Sequence, residues 1–184
     1  MNTKEQIEKG IAWLREAEKE GYRYVKWDGS EAAKECPICY NHSKEDGYYG
    51  GNCIWLASAY LHHGMGMSDV KCACNGLLGG SSSYTRLLYM PRSTAQSFID
   101  SKLGAGKAQL VRNSNRKKLK LADLKRGDII IYYRFGLFWH VAIYIGDGRI
   151  LDCSSASGGV SENSYDADYP CLAALRLSEE HNNH

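Results

Sequence analysis

The stretch from Phe138 to Cys153 constrains the fold of this chain more than any other. Phe138 to Ile145 is an apolar run rich in β-branched and aromatic residues, Gly146-Asp147-Gly148 is a turn sequence, and Arg149 to Cys153 is a second short run. Such a run–turn–run closes into an antiparallel hairpin. Ile129 to Tyr133, entered through Arg126-Gly127-Asp128, supplies a strand before it, and Leu172 to Leu177 supplies a last one. The C-terminal third therefore reads as an antiparallel meander.

The N-terminal part has the other period. Thr3 and Gln6 form a capping box, and Ile7, Ile11, Leu14 and Ala17 recur at helical spacing as far as Gly21, which predicts a helix over 4–20. Tyr22 to Trp27 reads as extended. Residues 28–52 are polar, Gly-rich and cysteine-bearing, and read as an inserted loop, of a length that is usually functional or tied down. Cys53, Leu56, Ala57, Tyr60, Leu61 and Gly64 then make one buried helical face that begins at a cysteine, with Asn52 as its N-cap. Residues 75–90 read as irregular around the turn Gly79 to Ser83. Residues 92–103 read as a helix capped by Ser93 and ended by Gly104, and 112–120 as a basic surface connection. Helices first and strands after give an α+β fold, a single domain over 1–184 with an insertion at 28–52.

Composition excludes several classes. A net charge of +2 is too small to argue for nucleic acid. No apolar run approaches the roughly 20 residues that span a bilayer, so no membrane insertion is expected. The polar start, Met1-Asn2-Thr3-Lys4-Glu5, opens a helix and carries no secretory signal, so synthesis in the cytoplasm is expected. The seven cysteines are odd in number, which with no signal favours metal binding or catalysis over a disulfide framework.

Cys53 is the candidate nucleophile. A cysteine at a helix N-terminus is favoured as the reactive thiolate by the helix dipole and by a nearby imidazolium. The preceding Gly50-Gly51-Asn52 permits close approach of a substrate backbone. Taken alone, the position is better explained by a small buried core cysteine. His140 adds the base. In strand alternation Trp139, Val141, Ile143 and Ile145 point to the core, and His140, Ala142 and Tyr144 to the other face, which is apolar enough to be covered as well. Asp152 lies across the hairpin. A three-residue loop at 146–148 sets Ala142 opposite Asp152 and makes His140 and Asp152 diagonal neighbours, whereas a four-residue loop turns Asp152 to the wrong face. A carboxylate there orients the imidazole and supports its protonated form.

These stretches resemble the NlpC-type cell-wall cysteine peptidases, a papain-like group. The resemblance lies in Gly50-Gly51-Asn52-Cys53 leading into a helix, in Leu124 to Ile131, in His140 to Asp152 and in Leu172 to Leu177, together about half the chain. It implies a papain-like fold with the nucleophile at a helix N-terminus packed on a C-terminal antiparallel sheet. It also implies a Cys53–His140–Asp152 triad and hydrolysis of amide or isopeptide bonds in cell-wall peptides, with no cofactor for catalysis. Many members carry His at the third position and Asp-Cys-Ser at the nucleophile; here these are Asp152 and Asn52-Cys53-Ile54. A family tyrosine near the oxyanion site corresponds to Tyr24, which follows the first helix, or to Tyr48 or Tyr49 beside the paired glycines; Asn52 is a further candidate. The implied partner is a cell-wall peptide polymer, peptidoglycan or pseudomurein. A phage or prophage lysin, or an archaeal pseudomurein endoisopeptidase, acting as a monomer on the wall after release, fits these features.

Two close cysteine pairs remain. Cys36-Pro37-Ile38-Cys39 is a knuckle, and Cys72-Ala73-Cys74 follows it; four such thiolates suit a structural tetrahedral zinc that pins the insertion down. His42, His62 or His63 can replace one ligand, and free thiols or a disulfide are the competing reading. Cys153 and Cys171 read as core residues, and the basic run Arg112 to Lys120 as a solvated loop. Two other functions use the same residues: an acyltransferase of transglutaminase type on the same triad, and a zinc-stabilised binding module without activity.

Overall fold

The computed structural model of the protein describes residues 3–28, 34–112, 118–165 and 171–178. The chain runs α1 (Thr3–Glu20), β1 (Arg23–Tyr24), β2 (Gly50–Gly51), α2 (Cys53–Ala59), a π-helical turn (Tyr60–Gly64), α3 (Ser81–Tyr89), α4 (Arg92–Leu103), β3 (Ala108–Arg112), β4 (Ile129–Arg134), β5 (Leu137–Gly146), β6 (Arg149–Ser154), β7 (Gly159–Ser164) and β8 (Cys171–Leu177). The fold is α+β: helices on an eight-stranded sheet in the order β2-β1-β7-β6-β5-β4-β8-β3. Among the described residues every pairing is antiparallel except β1 with β2.

The hairpin dominates because both faces of its strands are buried. Val141, Ile143 and Ile145 enter the main core with Leu14, Leu56 and Leu61 of the helices. Ala142 and Tyr144 join a second, smaller cluster with Ile130, Tyr132, Ile150 and Cys171 on the opposite face. His140 thus belongs to a covered face, as its apolar neighbours imply. Trp139 departs from the alternation. Tyr132 pairs with His140 and Tyr133 with Phe138, so Trp139 is the extra residue of a β-bulge. The bulge sends Phe138 inward, stacked on Tyr84 at 4.8 Å, and leaves Trp139 half exposed under Arg134.

Elements appear where the sequence showed none. Residues 81–89 form α3, buried through Tyr84, Leu87 and Leu88; the serine-rich start reads as a turn, but the apolar spacing behind it is helical. Strands β3 and β7 are also additional. β3 is an edge strand beside β8 that buries Ala108 and Leu110 in alternation, whereas β7, mostly polar, lies between β6 and β1 and is held by those neighbours. Of the extended stretch at 22–27, only Arg23–Tyr24 is a strand. Thr3 stands inside α1 rather than capping it, and its hydroxyl donates to Ser178 O at 2.9 Å, tying the helix to the end of β8. Likewise α4 begins at Arg92 with Pro91 at the cap position, not Ser93. Part of the 28–52 loop and most of 112–120 lie outside the described residues.

The Arg126-Gly127-Asp128 turn is anchored by a buried ion pair. Arg176 Nε and Nη2 donate to Asp128 Oδ1 and Oδ2 at 2.9 and 2.6 Å, and the Lys125 N–H donates to the same carboxylate at 2.8 Å. Asp128 is 1% exposed. Removing Asp128 leaves the partly buried Arg176 guanidinium charged, with the Asp123 carbonyl as a remaining acceptor, so Asp128→Ala is expected to cost about 3 kcal/mol in urea denaturation. A change under about 1 kcal/mol, the value of an exposed pair, would show that the contact carries no weight.

Candidate active site

The site forms where the hairpin opens. Asp147 and Gly148 both have positive φ, 52° and 70°, which is the two-residue turn that matches strand twist. The register then shifts by one residue between Tyr144 and Gly146, so that Tyr144 pairs with Ile150 and Ile143 with Leu151. Continuing that register sets Ala142 opposite Asp152. The turn has two residues plus a bulge instead of three residues, and the two arrangements have the same parity. Asp152 therefore stays on the face that carries His140.

The β5–β6 ladder ends at Ile143 and Leu151, and His140 and Asp152 lie beyond it. There His140 Nε2 meets Asp152 Oδ2 at 2.7 Å. Asp152 is 5% exposed, and its other oxygen accepts from Asn163 Nδ2 on β7 at 2.9 Å. Asn163 is gripped in turn by Ser161 Oγ at 3.0 Å and Ser157 Oγ at 3.3 Å. The Tyr132 ring lies against the imidazole, with centroids 5.8 Å apart. With Nε2 committed to Asp152, Nδ1 is left for Cys53, which lines the same cleft and interacts with the imidazole. Burial disfavours the charged ring, but the Asp152 carboxylate and then Cys53 outweigh it and push His140 up to about 10.

Cys53 is the first residue of α2, on the helix side of the sheet. Asn52 is its N-cap, with Oδ1 accepting from the Trp55 N–H at 3.0 Å. The two preceding glycines are required by contact. A Cβ on Gly50 would lie 1.8 Å from Arg23 O, and one on Gly51 would lie 2.5 Å from the Trp55 ring. These glycines let β2 lie beside β1, with Gly51 opposite Tyr24. Asn52→Ala is expected to lower stability by about 1 kcal/mol, read as a drop in thermal midpoint, because the Trp55 N–H loses its buried acceptor.

Cys53, His140 and Asp152 share a cleft of about 730 Å³ with Tyr24, Tyr132, Trp139, Asn163, Tyr165 and the Ser154–Ser157 turn. Of the residues considered for the oxyanion, only Tyr24 is in it. Tyr49 stacks on Tyr22 at 4.6 Å and points its hydroxyl at Glu20, and Asn52 uses its side-chain oxygen as the cap. Tyr48 does not line the cleft either. Asn163 has no mark in the sequence, because the strand that carries it has no alternation to announce it. The arrangement is that of a thiol, an imidazole able to accept or donate its proton, and a buried carboxylate fixing the imidazole.

The cysteine pairs are partly brought together. Cys36, Cys39, Cys72 and His63 present ligand atoms that all lie within 4.8 Å of one another. Cys74 is not among them, a correction to the expected set of four thiolates. The chain turns at Ala73, whose carbonyl accepts from the Gly76 N–H at 2.8 Å and from Ser58 Oγ at 3.1 Å. Cys72 and Cys74 therefore face different ways, and Cys74 sits beside Asn52 and Cys53.

Residues 57–176, roughly two thirds of the chain, match the model of the NlpC/P60 family. The match contains His140 and Asp152 and begins just after Cys53. No curated protein sequence gives a match. Among solved structures, the P60 domain of an antigen from M. avium subspecies paratuberculosis aligns over 96% of this chain and 98% of its own, with a TM-score of 0.51 at 16% identity. NlpC1 from Trichomonas vaginalis aligns over 91% of this chain and 43% of its own, with a TM-score of 0.43 at 17% identity. The peptidoglycan hydrolase RipB from Mycobacterium tuberculosis aligns over 96% and 68%, with a TM-score of 0.41 at 15% identity.

Proposed function

Because the chain belongs to the NlpC/P60 family, a family of cysteine peptidases and amidases, we propose that it hydrolyses amide or isopeptide bonds in cell-wall peptides through Cys53, His140 and Asp152. One observation carries the reading: His140 Nε2 is hydrogen-bonded to Asp152 at 2.7 Å, and both line one open cleft with Cys53, whose side chain interacts with the imidazole.

Cys53 Sγ, its proton passed to His140, adds to the carbonyl carbon. The oxyanion is received by the Cys53 backbone N–H at the start of α2 and by the Tyr24 hydroxyl. Collapse breaks the C–N bond, with His140 Nδ1–H protonating the departing amine and a thioester left on Cys53. Water then adds to the thioester as His140 takes its proton, and the carboxylate product leaves with the C–S bond broken. Asp152 keeps the ring turned so that Nδ1 faces the sulfur, and Asn163 keeps Asp152 in place.

The substrate is a wall polymer outside the membrane, so in this reading the chain acts after release from the cytoplasm, on peptidoglycan or on pseudomurein. The test is mass spectrometry of fragments released from purified bacterial and archaeal walls, with and without an added primary amine. New pairs of free amine and free carboxylate are the expected products. Amine-capped fragments would make the protein a transferase, and no released fragments from either wall would leave it a binding module.

A further inference from the structure

We propose that Cys36, Cys39, His63 and Cys72 bind one zinc ion, a structural site that fastens the segment leading to Cys53 onto the end of its helix. The four come from three separate places: the knuckle before β2, the π-helical turn that ends α2, and the loop after it. His63 Nε2 lies 3.5 Å from Cys36 Sγ and 3.6 Å from Cys39 Sγ, and the Cys72 and Cys36 sulfurs are 3.3 Å apart. In a tetrahedral site with Zn–S near 2.3 Å and Zn–N near 2.0–2.1 Å, the N···S edge is about 3.6 Å and the S···S edge about 3.8 Å. The two nitrogen–sulfur edges already have the tetrahedral length, and the sulfur pair is about half an ångström short of its own.

The surroundings also fit a metal better than free thiols. Cys36 and Cys72 are buried, and all seven cysteines are free. One imidazole nitrogen aims at two sulfurs together, an arrangement that a single proton serves poorly and a central cation serves fully. Trp55 Nε1–H donates to Cys36 Sγ at 3.3 Å, and the Trp13 ring stacks on His63 at 5.8 Å, so sulfur and imidazole are each held from behind. The other histidines nearby are engaged. His42 has both ring nitrogens on Asp46 and Glu35, and His62 Nδ1 is on Val70 O at 2.6 Å. Four protein ligands leave no open position, so the ion is structural rather than catalytic. Trp55 links the site to the nucleophile, since the same residue packs on Gly51 and has its N–H held by Asn52.

The test is metal analysis of the purified protein together with X-ray absorption at the zinc edge. Close to one zinc per chain is expected, with a first shell of three sulfurs and one nitrogen. Cys36→Ser, Cys72→Ser and His63→Ala should lose the ion, whereas Cys74→Ser and His42→Ala should keep it. The absorption measurement uses the unaltered protein, so it decides the ligand set even where a variant does not fold. Wild-type protein without zinc, a four-sulfur shell, or zinc retained by His63→Ala and lost by Cys74→Ser would each overturn the proposal.

Discussion

Cys53→Ala is expected to abolish release of wall fragments, a fall of roughly 10⁴-fold or more, while leaving the fold intact. The size follows from the chemistry: without the sulfur no thioester forms, and the cleft can only position water against an unactivated amide. The fold should survive because Cys53 is only partly buried and an alanine at the first position of α2 keeps the Asn52 cap. His140→Ala should fall by a similar factor, and the double variant should be no worse than either alone, because residues acting as one unit do not add. Far-ultraviolet circular dichroism with fragment assays separates the outcomes. Normal turnover by a folded Cys53→Ala would remove the nucleophile from the mechanism.

Asp152→Asn should have the second largest effect, a loss of roughly 10²- to 10⁴-fold with a displaced pH profile. The amide keeps the shape of the carboxylate but not its charge. It can also present its NH₂ to His140 Nε2, which favours the wrong tautomer. In the wild type Asp152 and Cys53 push His140 up to about 10 against the effect of burial. In the proposed mechanism the imidazolium that protonates the leaving amine is therefore lost only as the pH rises through that value. In Asp152→Asn the alkaline limb should move to lower pH. An unchanged limb with unchanged rate would reduce Asp152 to a bystander. Stability follows the same sign. His140 binds its proton more tightly folded than unfolded, so its contribution is fully present below the ordinary value of 6.5 and is lost as the pH rises towards 10.

The local strength of each feature decided how much of it the sequence disclosed. The hairpin is plain because two apolar runs around Gly146-Asp147-Gly148 have few other ways to bury themselves. Strand β7 is opaque because Gly159–Ser164 is mostly polar and only half-buried, and its place comes from pairing with β6. Trp139 was misplaced because alternation assumes an unbroken ladder, and the bulge opposite Tyr132 and Tyr133 breaks it.

The same division holds for the site. The sequence by itself determined the candidate triad: a cysteine opening an apolar helix, and a histidine and an aspartate on the two arms of one hairpin. The parity of the turn put the last two on one face. Only the tertiary structure decided which groups surround them. It put Tyr24 rather than Tyr49 in the cleft, set Asn163 behind Asp152, and grouped His63 rather than Cys74 with Cys36, Cys39 and Cys72. The reason is physical. Period and propensity act between residues a few positions apart, whereas these contacts join segments whose approach is set by the packing of α2 and the sheet.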